Sequence, residues 1–108
     1  MSIREQIADK LIAAGGFWSY DEKSVRQNVS DEQLIEATLE KLDLDDIDLL
    51  FQLFPAKKIK EVWQRTMVVQ GDFYHSLNRF YAWYYFDIRY PDRDLKAMLT
   101  RHLSKRTA

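Results

Sequence analysis

Turn-forming residues are scarce in this chain, and their scarcity limits what it can fold into. The 108 residues include only three Gly and two Pro, which favours a few long helices over many tight turns. No segment alternates apolar and polar residues for long enough to predict a strand. We therefore predict an all-α fold. A chain of this length fits one compact domain with a single hydrophobic core.

Capping signals and apolar spacing predict a bundle of about five to six helices. Ser2 with Glu5, and Ser30 with Gln33, have the spacing of capping boxes at helix N-termini. Pro55 suits the first position of a helix. The predicted helices cover about 3–14, 31–42, 47–54, 55–70, 73–88 and 92–103. The domain is predicted to span 1–103, and 104–108 is predicted to be a frayed tail.

Two of these helices are predicted to build the core. Between 73 and 88 the sequence has eight aromatic residues, on nearly all sides of the predicted helix, so we expect it to be the central helix. On the helix before it, Ile59, Val62, Trp63 and Met67 share one face. Trp63 should therefore point inward and pack against the aromatic helix, whereas the neighbouring basic side chains should be solvated.

Several classes of chemistry have no support in the sequence. The chain has no Cys, which excludes disulfides and thiol chemistry. Its two His are far apart and form no metal-ligand pattern, and no phosphate-binding loop or nucleophile elbow is present. We expect no cofactor, no metal and no catalytic residue. No apolar run suits a signal peptide or a membrane span, so we expect a cytoplasmic protein.

Charge is distributed unevenly along the chain, although the net charge is only −1. Residues 1–54 carry five Lys/Arg and twelve Asp/Glu, which gives −7, and residues 55–108 carry eleven and five, which gives +6. The acidic half contains the run Asp43, Asp45, Asp46 and Asp48. This run lacks the residue order of a calcium loop. It is typical of a capped, solvated helix face, and such a face can receive a basic partner.

Three further groups are candidates for partner binding, and each has a structural alternative. Lys57, Lys58 and Lys60 open a helix at its positive dipole end, where cations are disfavoured, so they form either a phosphate-binding patch or a solvated face. His75, Asn78 and Arg79 share a helix face and either hold an anion or satisfy neighbouring carboxylates. Phe17, Trp18 and Tyr20 are either an exposed hot spot or a loop packed on the core.

The order of four segments resembles a family of small bacterial helical proteins. These segments are Phe17–Asp21, Leu42–Ile47, Lys58–Trp63 and Tyr74–Trp83. Members of that family are often encoded beside nucleotidyltransferase-type toxins of the AbiE class, in the manner of an antitoxin or companion protein. The resemblance implies a protein partner of that class in a bacterial cytoplasm, and it implies no catalytic residues.

The sequence thus leads to two hypotheses of function. The first is a non-enzymatic protein-binding module, the antitoxin-like partner of a nucleotidyltransferase-type toxin, whose acidic face mimics nucleotide phosphates. The alternative is a nucleic-acid-binding transcriptional regulator that uses the basic second half of the chain.

Overall fold

A computed structural model describes residues 2–15 and 29–107, and in these ranges the chain is all-α, as predicted. It contains six α-helices and one 3-10 segment, and no strand occurs in the ranges described. None of these helices is long and apolar enough to cross a membrane. The helices are α1 (Ile3–Ala13), α2 (Asp31–Lys41), α3 (Leu44–Leu53), α4 (Ala56–Thr66), α5 (His75–Tyr84) and α6 (Pro91–Thr107), and the 3-10 segment is Val68–Tyr74.

Helices α1 and α2 begin where their caps predict, whereas α3 begins at Leu44 rather than at the predicted residue 47. Ser2 Oγ accepts a hydrogen bond from the Glu5 amide at 3.1 Å. Ser30 and Gln33 form a complete capping box, in which each side chain accepts from the backbone N–H of the other. Gly15 follows α1 with a φ of 76°, the left-handed conformation that glycine adopts without strain. The carbonyl of Pro55 accepts from the Lys58 and Ile59 amides, so Pro55 lies just before α4 rather than inside it.

The chain forms two compact units, Met1–Val62 and Trp63–Ala108. In the first unit α1, α2 and α3 pack against one another. Their buried faces are mainly aliphatic, with helical spacing along each helix, so the apolar face of each amphipathic helix is removed from water. The fully buried side chains of these three helices are Ile7, Leu11, Leu34, Ile35, Thr38, Leu39, Ile47 and Leu50.

In the second unit the 3-10 segment, α5 and α6 pack against one another, and the helix bounds differ from the prediction. Helix α4 ends at Thr66 instead of reaching Gly71, and Gly71 lies inside the 3-10 segment with a φ of 60°. Asp72 was predicted to cap the aromatic helix, but the N-cap of α5 is Tyr74. A glycine with positive φ marks a bend, and here the chain continues through that bend as 3-10 turns before α5 starts.

The aromatic helix is also shorter than predicted at its other end. Helix α5 ends at Tyr84 rather than near 88, and Asp87 has a φ of 52°. The Ile88 amide donates to the Ala82 carbonyl at 2.9 Å and closes the helix end. Helix α6 starts at Pro91 and continues to Thr107, past the predicted end at 103, because no Gly or Pro interrupts it and basic side chains suit a helix C-terminus.

Trp63 is completely buried, as predicted. Its indole N–H donates to Asn78 Oδ1 on α5 at 3.1 Å. Its ring lies 4.7 Å from the ring of Phe86, measured between centroids. The prediction that Trp63 points inward and packs against the aromatic residues of 73–88 is therefore confirmed.

Candidate partner-binding surface

The acidic run of the first unit is only partly a surface. Asp43, Asp45 and Asp48 are exposed, but Asp46 is buried, so the prediction of a solvated face is wrong for Asp46. Its carboxylate accepts a hydrogen bond from Lys10 Nζ of α1. This bond, with the charge of Asp46, raises the pKa of Lys10 above its ordinary value. Asp46 therefore joins α1 to α3, and three carboxylates remain available to a partner.

The basic cluster at the start of α4 is also divided between roles. Lys57 is exposed and Lys60 is half-buried. Lys58 was expected to be solvated, but its Nζ lies 3.2 Å from Asp31 Oδ2 and 5.3 Å from the centroid of the Phe54 ring. Lys58 is therefore committed to contacts within the first unit, which leaves Lys57 and Lys60 as the outward cations of this cluster.

Asn78, one of the three polar residues grouped on the aromatic helix, has a structural role. It is 2% exposed. Its Oδ1 accepts from Trp63 Nε1, and its Nδ2 donates to the Met67 carbonyl, both at 3.1 Å. A buried amide needs such partners for both of its ends. The amide thus links α4, α5 and the turn between them.

His75 and Arg79 are exposed and both face one carboxylate. Arg79 Nε lies 2.9 Å from Asp92 Oδ1, and His75 Nε2 lies 3.8 Å from the same oxygen. His75 and Asp92 help to line a cleft of about 370 Å³. The carboxylate neutralises part of the positive charge there, which makes the cleft a poor anion site. Phe17, Trp18 and Tyr20 lie outside the described residues.

The outer face of α5 is apolar and exposed, a feature that the sequence analysis missed. The side chains of this exposed aromatic face are large and follow one another at helical spacing. They are Leu77, Trp83 and Tyr84, which are exposed, and Phe80, which is half-buried. Trp83 is 61% exposed and Tyr84 is 53% exposed. The inner face of α5 consists of the buried residues Asn78, Tyr81 and Ala82. Burial raises the pKa of Tyr81 to about 12.

Ring contacts hold the exposed aromatic face together. Phe80 and Tyr84 stack with their centroids 5.2 Å apart and their planes within 13° of each other. Trp83 lies 6.2 Å from Tyr84. Stacking of this kind favours a fixed arrangement of the rings, so Phe80, Trp83 and Tyr84 form one connected aromatic cluster on α5. The spacing of Leu77, Phe80 and Tyr84 was visible in the sequence, but it indicates a buried stripe as readily as an exposed one.

The described residues offer little else for chemistry. No three His, Asp or Glu side chains among them are grouped so that they could hold a metal ion. Comparisons with known proteins match nothing: no family model, no curated protein and no solved structure is detectably similar to this chain.

Proposed function

We propose that this chain is a non-enzymatic protein-binding module and that the exposed aromatic face of α5 is its docking surface. The observation that carries the proposal is the exposure of Trp83 and Tyr84 beside Leu77 and Phe80. Soluble proteins seldom leave adjoining side chains of this size in water unless a partner covers them. Trp and Tyr are also the residues that contribute most to binding energy at protein interfaces.

The margin of this face indicates the chemistry of the partner. Arg79 is one turn before Trp83 on α5 and is exposed. Its Nε is paired with the carboxylate of Asp92, but the guanidinium group has further N–H donors that a partner can use. The partner should therefore present an apolar groove with a carboxylate at its rim, because a charge-assisted hydrogen bond to arginine would fix its register.

The resemblance of the sequence to toxin-associated proteins supports a partner class. We propose a nucleotidyltransferase-type toxin as the bound protein. Asp43, Asp45 and Asp48 are exposed on the first unit and lie within six residues of the sequence, and three such carboxylates can mimic nucleotide phosphates toward a basic cleft. In this hypothesis the aromatic face supplies affinity, and the three carboxylates occlude the active site.

Co-expression with the product of the neighbouring gene, which the proposal expects to be a nucleotidyltransferase-type toxin, tests the proposal. The two proteins should co-purify, and growth that the toxin arrests should recover. Trp83→Ser should weaken the complex by at least about tenfold. Tyr90→Ser is the matched control, because Tyr90 is also 61% exposed but is not on α5, and it should bind within about twofold of the parent.

The outcomes separate the surface from the partner class. Equal binding by the parent and Trp83→Ser would remove the aromatic face from the proposal. Absence of a complex, together with no recovery of growth, would eliminate the toxin as the partner. Full recovery of growth by a protein with Asp43, Asp45 and Asp48 replaced by Asn would eliminate phosphate mimicry.

A further inference from the structure

A second cleft in the unit Trp63–Ala108 has an unusual set of charges. Its volume is about 470 Å³. The described residues that line it include two arginines and a histidine, and none of them is acidic. They are Gln64, Arg65, Val69, Met98, Arg101 and His102. This differs from the cleft beside His75, where Asp92 offsets the basic side chains.

Helix stability does not explain why Arg101 and His102 stand here. Both lie more than one turn before the end of α6 at Thr107, where the helix dipole has little effect. Positions three and four residues away on either side hold no carboxylate. Neither the helix dipole nor an ion pair along α6 therefore accounts for the positive charge of Arg101 in this cleft.

We propose that this cleft binds the phosphate group of a small phosphorylated molecule of nucleotide size. Guanidinium groups bind phosphate oxygens through paired N–H donors, and Arg65 and Arg101 bring two of them to one cleft. His102 adds a ring N–H donor. Val69 and Met98 supply an apolar wall for the remainder of the molecule, and the volume lies within the usual range of small-molecule sites.

A small ligand suits this site better than a nucleic acid strand does. Binding to a phosphate backbone depends on several cations that neutralise successive phosphates. Here two arginines line one concave site, and the chain as a whole carries a net charge of −1. The proposal is independent of the aromatic face and of any protein partner.

Calorimetric titration of the full chain tests the proposal with four probes: adenosine monophosphate, inorganic phosphate, adenosine and a single-stranded oligonucleotide. Adenosine monophosphate should bind, phosphate should bind more weakly and compete with it, and adenosine should not bind. Arg101→Gln should weaken nucleotide binding at least about tenfold, because it removes a charge-assisted hydrogen bond. Arg101→Lys should recover only part of that loss, since lysine keeps the positive charge but lacks the planar pair of N–H donors of arginine.

Lys96→Gln is the matched control. It removes the same charge from the same helix, but Lys96 lines the other cleft, so nucleotide binding should change by less than about twofold. Equal weakening by Lys96→Gln and Arg101→Gln would overturn the proposal in favour of a general charge effect. Adenosine binding as well as its phosphate, or binding of the oligonucleotide alone, would also overturn it. Both variants alter exposed residues, and unchanged thermal melts would verify their folding.

Discussion

Trp63 is the residue whose replacement should destabilise the protein most. Its ring is fully buried and its indole N–H is bonded to Asn78. Trp63→Ala leaves a cavity and removes that donor, so the free energy of unfolding should fall by about 3–5 kcal/mol. Trp63→Phe keeps most of the ring but leaves Asn78 Oδ1 buried without its donor, and it should cost about 1–3 kcal/mol. Urea denaturation measures both values.

Trp83 provides the control for this prediction, because it is the same residue type in an exposed position. Trp83→Ala should change the free energy of unfolding by no more than about 0.5 kcal/mol. A large loss at Trp83 with none at Trp63 would contradict the assignment of these two residues to surface and core.

Asp87 is a second residue at which a substitution has a predictable sign. Its φ of 52° lies in the left-handed region, which glycine enters freely and β-branched residues avoid. Asp87→Gly should leave stability unchanged or raise it by up to about 1 kcal/mol, and Asp87→Val should lower it by about 1–2 kcal/mol. The melting temperature of Asp87→Gly should therefore equal or exceed that of the parent, and that of Asp87→Val should be lower. A Val variant as stable as the Gly variant would contradict the assigned backbone conformation.

The sequence predicts whether a side chain is buried where the spacing of apolar residues along a single helix determines it. The burial of Trp63 follows from the spacing of Ile59, Val62 and Met67 alone. The burial of Asp46 was not predictable, since it depends on Lys10, which is 36 residues away. The role of Asn78 likewise depends on donors and acceptors in other elements. Pairing across elements is a property of the fold, and no local pattern in this chain reports it.

At the scale of helices, Asp31 joins three elements of the first unit. Arg4 of α1 approaches its Oδ1 at 2.7 Å, and Lys58 of α4 approaches its Oδ2 at 3.2 Å. Lys58→Ala breaks one pair and removes the cation from Phe54, so it should lower the free energy of unfolding by about 1 kcal/mol. Lys57→Ala makes the same chemical change at an exposed neighbour and should cost less than about 0.5 kcal/mol. Equal midpoints in urea would contradict the role given to Lys58.

The same ion pairs predict how stability responds to acid. Hydrogen bonds from Lys58 and Arg4 lower the pKa of Asp31 from its ordinary value of 3.8. The stabilisation is complete above that ordinary value and is lost as the pH falls through the lower value of the folded state. The advantage in melting temperature of the parent over Asp31→Asn should be constant between about pH 5 and 7 and should shrink toward about pH 3. An advantage that grows on acidification would contradict the sign.

The sequence predicts a helix end where a side chain caps it. It does not predict an end that depends only on the backbone conformation. Ser30 and Gln33 mark the start of α2 because their side chains bond to the helix itself. The 3-10 segment and the early end of α5 involve backbone geometry at Gly71 and Asp87, where the residue types only permit a turn. The exposure of the aromatic face was likewise not predictable, because the spacing of residues identifies a helix face but does not show whether another element covers it.

At the scale of the whole molecule, the proposed functions differ in how they should respond to salt. A complex held by Leu77, Phe80, Trp83 and Tyr84 buries apolar area, which salt screening affects little. Recognition through Asp43, Asp45 and Asp48 depends on exposed charges, so it should slow as salt screens the encounter. A nucleic acid complex of the basic half would lose affinity steeply because bound counterions are released.

Association with the proposed toxin partner should therefore show two separate dependences on salt. Between about 50 and 500 mM salt, the association rate constant should fall by about tenfold or more, whereas the dissociation rate constant should change by less than about threefold. Trp83→Ser should raise the dissociation rate constant, and replacement of Asp43, Asp45 and Asp48 by Asn should remove most of the salt dependence. Surface plasmon resonance measures both constants. A dissociation rate constant that rises steeply with salt in the parent would mean that charges rather than the aromatic face hold the complex together.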